Sequence, residues 1–258
     1  MRMGVLIGLI AVLLLGVLPA WADEVPDAML HVLNRELAGV RVADPPVVVG
    51  RRSPIGPQLY RRVVDGVILI VTKDGIGSGV VVSPKGHILT NWHVVGKHEG
   101  VGVVARNQAL LRGMQELKRE HVVIARVLAV DAKRDLALVL TGQMPAGLRA
   151  IPLAEPNGVE VGQDVYSIGH PQGLLWSYAE GVVSQIRPDY EWTYQEGSRH
   201  QATVIQTQTP MHPGSSGGAL FDGDGRVVGI NYGGKHTSLS FAISIGEVRD
   251  WINNLARR

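Results

Sequence analysis

The chain has 258 residues, with 25 Lys/Arg against 23 Asp/Glu and a net charge of +2. Its composition is that of an ordinary globular protein, and no block of basic residues marks a nucleic-acid partner. It has no cysteine, which excludes disulfides, cysteine-ligated metals and a thiol nucleophile.

In chain order, Arg2 precedes an apolar run over 4–18, and Pro19-Ala20-Trp21-Ala22 precedes Asp23-Glu24. This pattern predicts an export signal over 1–22, cleaved after Ala22, and a periplasmic or secreted product. The run is short of the roughly 20 residues that span a bilayer, and no second run of spanning length follows, so no stable membrane span is expected after cleavage. Residues 23–60 read as an N-terminal extension. They begin with a short amphipathic helix over 27–37, and a proline-rich, irregular stretch over 43–57 follows.

From 61 the texture changes. Short Val/Ile-rich runs at 67–72, 79–82, 87–90, 121–130 and 136–140 alternate with Gly, Pro, Asp and Asn. After 142–147 the pattern resumes at 164–168, 181–185, 203–207, 227–231 and 240–243. Many short strands with turns between them predict an all-β sandwich or pair of barrels, divided into 61–145 and 146–258. Two segments read as helices. One, over 107–118, sits in a long insertion (96–120) with the character of a lid or partner surface. The other, over 245–257, ends the chain with Val248, Trp251, Ile252 and Leu255 on one face.

The chemistry concentrates at Gly214-Ser215-Ser216-Gly217-Gly218, a glycine-rich turn between two β-prone runs. A serine hydroxyl needs a base to take its proton and donors to hold the oxyanion it creates. Glycines let the backbone approach a substrate, and such a turn can aim the amides of Gly214 and Ser216 at one point. Alone, the string reads equally well as a Gly/Ser loop. Of nine histidines, His93 stands apart by context. A strand, a Pro84-Lys85-Gly86 turn and a second strand precede it, which fixes the imidazole at a strand end. Asp135 directly precedes an apolar strand and can be carried inside, whereas Asp131 stays in the turn. A buried Asp135 would accept a hydrogen bond from the far imidazole nitrogen and leave the near one for Ser216.

Thr90-Asn91-Trp92-His93-Val94-Val95, Asp135-Leu136-Ala137-Leu138-Val139 and His212-Pro213-Gly214-Ser215-Ser216-Gly217-Gly218 occur in the order His, Asp, Ser. The chain resembles trypsin/chymotrypsin-fold serine proteases over about 63–250, most of all the HtrA/Deg-type protease domain. The resemblance implies two packed six-stranded antiparallel barrels with a C-terminal helix. His93 and Asp135 would come from the first barrel and Ser216 from the second. It implies an oxyanion hole of Gly214 and Ser216 amides with Ser215. It also implies an edge strand at Ser240-Phe241-Ala242 that pairs with a polypeptide substrate, and Pro210 at the base of the specificity pocket. With no carboxylate there, a small or medium apolar side chain is expected rather than Arg or Lys. The chemistry calls for no metal and no cofactor. Ser215 departs from the family's usual Asn or Asp, and no PDZ-like domain is expected after the protease domain. The oligomeric state is not legible.

An α/β-hydrolase also fits G-x-S-x-G, but it needs a helix after the serine with Asp and His beyond it, and here a turn at 222–225 follows. An inactive protease-fold binding module draws support only from Ser215 and the inserted helix. A metal site from His170, His200, His212 and His236 lacks ligand-type spacing.

Overall fold

The structure, a computed structural model, describes residues 26–37, 55–106, 118–142, 144–145, 147–194, 197–236 and 239–257. The leader, most of the proline-rich stretch and residues 107–117 of the expected inserted helix lie outside them. The side chains of 33, 34, 36, 37 and 234–236 are likewise outside the description.

Twelve strands form two closed antiparallel barrels. The first contains β1 (Val67–Val71), β2 (Ile76–Val81), β3 (His87–Thr90), β4 (Gly100–Val104), β5 (Val122–Asp131) and β6 (Leu136–Thr141), in the order β1-β2-β3-β6-β5-β4. The second contains β7 (Asp164–Gly169), β8 (Ser177–Thr193), β9 (Arg199–Thr207), β10 (Ala219–Phe221), β11 (Val227–His236) and β12 (Leu239–Ser244), in the order β10-β11-β12-β9-β8-β7. Closure pairs every strand with two neighbours, so neither sheet keeps a full-length open edge. The helices are α1 (Asp27–Leu37), α2 (Gly56–Val63), the single-turn α3 (Trp92–Val95) and the C-terminal α4 (Ile245–Leu255). No helix among the described residues is long and apolar enough to cross a membrane.

The five residues of β1, Val-Ile-Leu-Ile-Val, are all fully buried. Period-two alternation splits them between two cores. Ile68 and Ile70 join Val81, Ile88, Val103, Ala125 and Val139 inside the first barrel. Val67, Leu69 and Val71 face the other way, into the larger core that includes the second barrel and Met29 and Val32 of α1. A single strand therefore serves the interior of one barrel and its contact with the rest. Gly79 makes room for this packing, since a Cβ there would sit 2.8 Å from Ile88 and 2.9 Å from Ile70.

Three expectations need amendment. Residues 100–104, assigned to an insertion, form β4 and close the first barrel between β1 and β5. Their alternating Gly and Val hid the strand. The stretch 56–63, which straddles the expected boundary at 60 between extension and first barrel, is α2, with proline in its first turn where the missing N–H costs nothing. The run at 181–185 is the middle of a 17-residue strand that reaches 193. Two register shifts against β9 bend that strand.

The barrels are tied through the turn between β5 and β6. Arg134 donates to Asp131 (2.8 Å) and to Glu247 of α4 (2.7 Å), and the other Glu247 oxygen accepts from the Thr203 amide (2.8 Å). Burial pushes the Glu247 carboxyl up, but its bonds from Arg134 and Thr203 outweigh this and hold it below its ordinary value. A carboxyl lowered on folding contributes stability above its unfolded value of about 4.3, and that contribution is lost as pH falls through the folded value. Glu247→Gln is therefore expected to lose about 1–2 kcal/mol at pH 7. The gap from wild type should close below about pH 4 in urea unfolding. A gap that is constant with pH would contradict the ion pair.

Candidate active site

His93 lies in α3, one turn beyond the end of β3, and Asp135 lies at the start of β6. Since β3 and β6 pair antiparallel with Thr90 opposite Ala137, the ends carrying the two residues meet. The Asp135 carbonyl accepts from Trp92 N (3.2 Å) and Asn91 Nδ2 (3.0 Å), which fixes the start of α3. Its carboxylate then receives the His93 amide on Oδ1 (2.9 Å) and the imidazole Nδ1 on Oδ2 (2.7 Å). A carboxylate only accepts, so Nδ1 carries a proton, and in the neutral ring Nε2 is the nitrogen with the lone pair. Asp135 is fully buried and His93 about a quarter exposed, so the base faces the surface and its partner does not. Asp135 adopts a left-handed conformation, φ 56°, which only Asn, Asp and glycine visit readily. The strain is compensated by the four bonds above.

Ser216 sits in the turn before β10, and its backbone is held from the other barrel. Ser78 of β2 donates its N–H to the Ser216 carbonyl (2.7 Å) and its hydroxyl to the Gly214 carbonyl (2.7 Å). With its one proton so used, Ser78 Oγ can only accept from the His170 amide (3.1 Å) and His170 Nδ1 (2.9 Å). His170 is thus the Nδ1–H tautomer. It is fully buried, which pushes it down to about 3 and keeps it neutral.

The amide directions follow from planarity. In a trans peptide, C=O and N–H point opposite ways. The Pro213 carbonyl is taken by Gln172 N (2.7 Å) and the Ser215 carbonyl by Gly218 N (3.0 Å). The N–H groups of Gly214 and Ser216 therefore point away from those contacts, and neither donates a bond within the described residues. The Ser215 amide does not join them, contrary to expectation, because it donates to the His212 carbonyl inside the turn (2.8 Å).

A second correction concerns the substrate edge. Ser240, Phe241 and Ala242 lie on β12, which pairs with β9 on one side and β11 on the other. Their backbone is spent on both flanks and offers no edge. The exposed flank belongs to β11, whose pairing with β10 ends at Ile230. Asn231 still bonds with Gly217 and Gly218, but from Tyr232 on, β11 pairs on one side only among the described residues. Sequence reasoning missed Tyr232. The available signal was that the strand run continues past Asn231 while β10 is only three residues long.

The nucleophile candidate is next to this edge. Ser216 Oγ donates to the Tyr232 carbonyl (3.3 Å), and no bond joins it to His93 Nε2 in this arrangement. The His93–Asp135 pair is thus assembled, while the Ser216 hydroxyl is engaged by the Tyr232 carbonyl. Pro210 is exposed in the segment leading to the turn. Of the histidines weighed for a metal, His170 and His200 serve separate structural bonds. The Nδ1 of His200 donates to the Ala132 carbonyl (2.7 Å), and its Nε2 pairs with Ser198. His212 is exposed.

Residues 77–230 match the trypsin-like peptidase domain family. The chain is 31% identical to Protease Do-like 1, chloroplastic, of Arabidopsis thaliana, over 71% of this chain and 40% of that protein. It is 30% identical to a probable periplasmic serine endoprotease DegP-like of Halomonas elongata, over 92% of this chain and 51% of that protein. It thus spans about half, or less, of the length of these curated relatives. Among solved structures, the Rv3671c protease of M. tuberculosis in an inactive form superposes with TM-score 0.64 at 21% identity, covering 81% of this chain and 96% of that one. The HtrA-type protease AlgW with a tripeptide gives TM-score 0.62 at 26% identity, covering 78% and 63%.

Gly217 tests the cross-barrel seating of the turn. Its φ is 81°, and a Cβ there would lie 2.1 Å from both the Ser78 carbonyl oxygen and Thr90 Oγ1. Gly217→Ala is expected to cost about 2 kcal/mol or more in denaturant unfolding, combining left-handed strain with the clash. A loss below about 0.5 kcal/mol, the range of ordinary surface changes, would contradict that seating.

Proposed function

Because the chain belongs to the trypsin-like peptidase family, we propose that it is a serine endopeptidase that cleaves extended polypeptide segments. The observation that carries this reading is the buried Asp135 holding His93 with Nδ1 protonated and Nε2 free. In the proposed reaction, Nε2 takes the Ser216 proton as Oγ bonds to the scissile carbonyl carbon. The carbonyl electrons move to oxygen, which the Gly214 and Ser216 amides receive. His93 returns the proton to the leaving amine as the C–N bond breaks. Water repeats the sequence on the acyl-enzyme and restores Ser216.

An extended peptide would add as a strand beside β11 from Tyr232, the open flank next to Ser216. Pro210 brings no carboxylate to the segment before the turn, which favours an apolar side chain at the cleaved position over Arg or Lys. Export with cleavage after Ala22 belongs to the same proposal, and the relative from Halomonas elongata is named as periplasmic.

Fluorophosphonate labelling and casein digestion test the activity, with Ser216→Ala and His93→Ala as variants. Each single change is expected to lower kcat roughly 10⁴-fold or more, and the double change adds little, because the two residues act as one unit. Folded wild type that is neither labelled nor active would contradict the proposal and favour a binding module. Additive losses would contradict the triad.

A further inference from the structure

The third acceptor contact of the Asp135 carboxylate comes from the other barrel. Tyr194, just past the end of β8, places its hydroxyl 2.9 Å from Asp135 Oδ2, the same oxygen that holds His93 Nδ1. The same hydroxyl is 3.2 Å from the Tyr232 carbonyl, which Ser216 Oγ also addresses. The Tyr194 ring lies against the imidazole, with centroids 4.6 Å apart. The hairpin that presents Tyr194 is stitched to the turn that presents Asp135. His200 donates to the Ala132 carbonyl (2.7 Å) and the Gln201 amide to the Lys133 carbonyl (2.8 Å). Burial first, and then the Asp135 charge, push the Tyr194 hydroxyl up, so it remains a donor.

We propose that Tyr194 is a positioning residue for the triad carboxylate, and that its one hydroxyl proton couples the substrate edge to the triad through the Tyr232 carbonyl. The argument is a count of donors and acceptors. A carbonyl oxygen has two lone pairs, and at Tyr232 they face Tyr194 and Ser216. A peptide N–H arriving on that oxygen displaces one of the two. If Ser216 is displaced, its hydroxyl is released toward His93 Nε2. If Tyr194 is displaced, its hydrogen bond goes wholly to Asp135 Oδ2, which holds the carboxylate in place under the imidazole. The first exchange frees the serine for His93, the second steadies the carboxylate beneath it, and both depend on the hydroxyl rather than the ring.

The proposal rests on the proteolytic reading of the site, and the test separates the two. Tyr194→Phe keeps the ring on His93 and removes only the hydroxyl. In this variant kcat on a peptide substrate is expected to fall about tenfold, with KM within about twofold, as for a lost bond to a charged group. The downfield proton resonance of the His93 Nδ1–H···Asp135 bond is expected to move further downfield, since Oδ2 no longer shares itself with a second donor. An unmoved resonance would overturn the proposal. So would an unchanged kcat in an active wild type, or equal loss in Tyr194→Phe and in a distant variant matched for thermal stability. The resonance needs no turnover, so an inactive wild type with a shifted resonance would sink the endopeptidase reading and leave the Tyr194–Asp135 contact standing.

Discussion

Ser78 is the constraint on which the site depends. It is fully buried in β2 of the first barrel, yet its N–H and hydroxyl both hold carbonyls of the turn that belongs to the second. Its own carbonyl accepts from Thr90 (2.7 Å), at the end of the strand that leads to His93. One residue therefore links the turn of Ser216 to the strand that leads to His93. The turn has little freedom to drift. Gly214 and Gly217 have positive φ, and a Cβ at either would run into His170 or Ser78 backbone. Glycine there provides contact distance rather than flexibility.

The acid is held across the same interface from the opposite direction. The turn between β5 and β6 belongs to the first barrel, but Arg134 reaches α4, and the carbonyls of Ala132 and Lys133 receive donors from β9. A run of rings continues this bridge. Phe241, Tyr232, Trp192, His200 and Tyr194 follow one another at centroid separations of 4.4–5.8 Å and end on His93. Such contacts are individually modest, about 0.5–1.5 kcal/mol beyond the area they bury. Their effect here is directional, because they bind the long β8–β9 hairpin to the cleft. Neither barrel alone would bring His93, Asp135 and Ser216 into one region.

The parts of this arrangement that were legible in the sequence are those set by local chemistry. His93 after a hairpin, Asp135 before an apolar strand and Ser216 among glycines each leave a short, recognisable pattern. The β-rich runs and the amphipathic end of the chain do the same, and α4 starts where Ser244 accepts from the Glu247 amide. What failed depended on pairing across long separations. Ser240–Ala242 looks like an edge as a string of residues, and only the register with both β9 and β11 shows that it is interior. Ser215 looks like an amide donor until its bond to His212 is seen. Tyr194 and Ser78 carry no motif at all. Their roles come from residues 59 and 138 positions away, Asp135 and Ser216.

The central claim of the proposed function is that Ser216, the Gly214 and Ser216 amides and the flank of β11 beyond Ile230 act together on one peptide bond. A crystal structure of the protein inactivated by a peptidyl phosphonate tests it most directly. The account predicts phosphorus bonded to Ser216 Oγ, with the phosphoryl oxygen accepting from the Gly214 and Ser216 amides. The peptide would lie antiparallel along β11 from Tyr232. A phosphoryl oxygen turned to solvent, a peptide lying elsewhere, or an adduct on another side chain would contradict it.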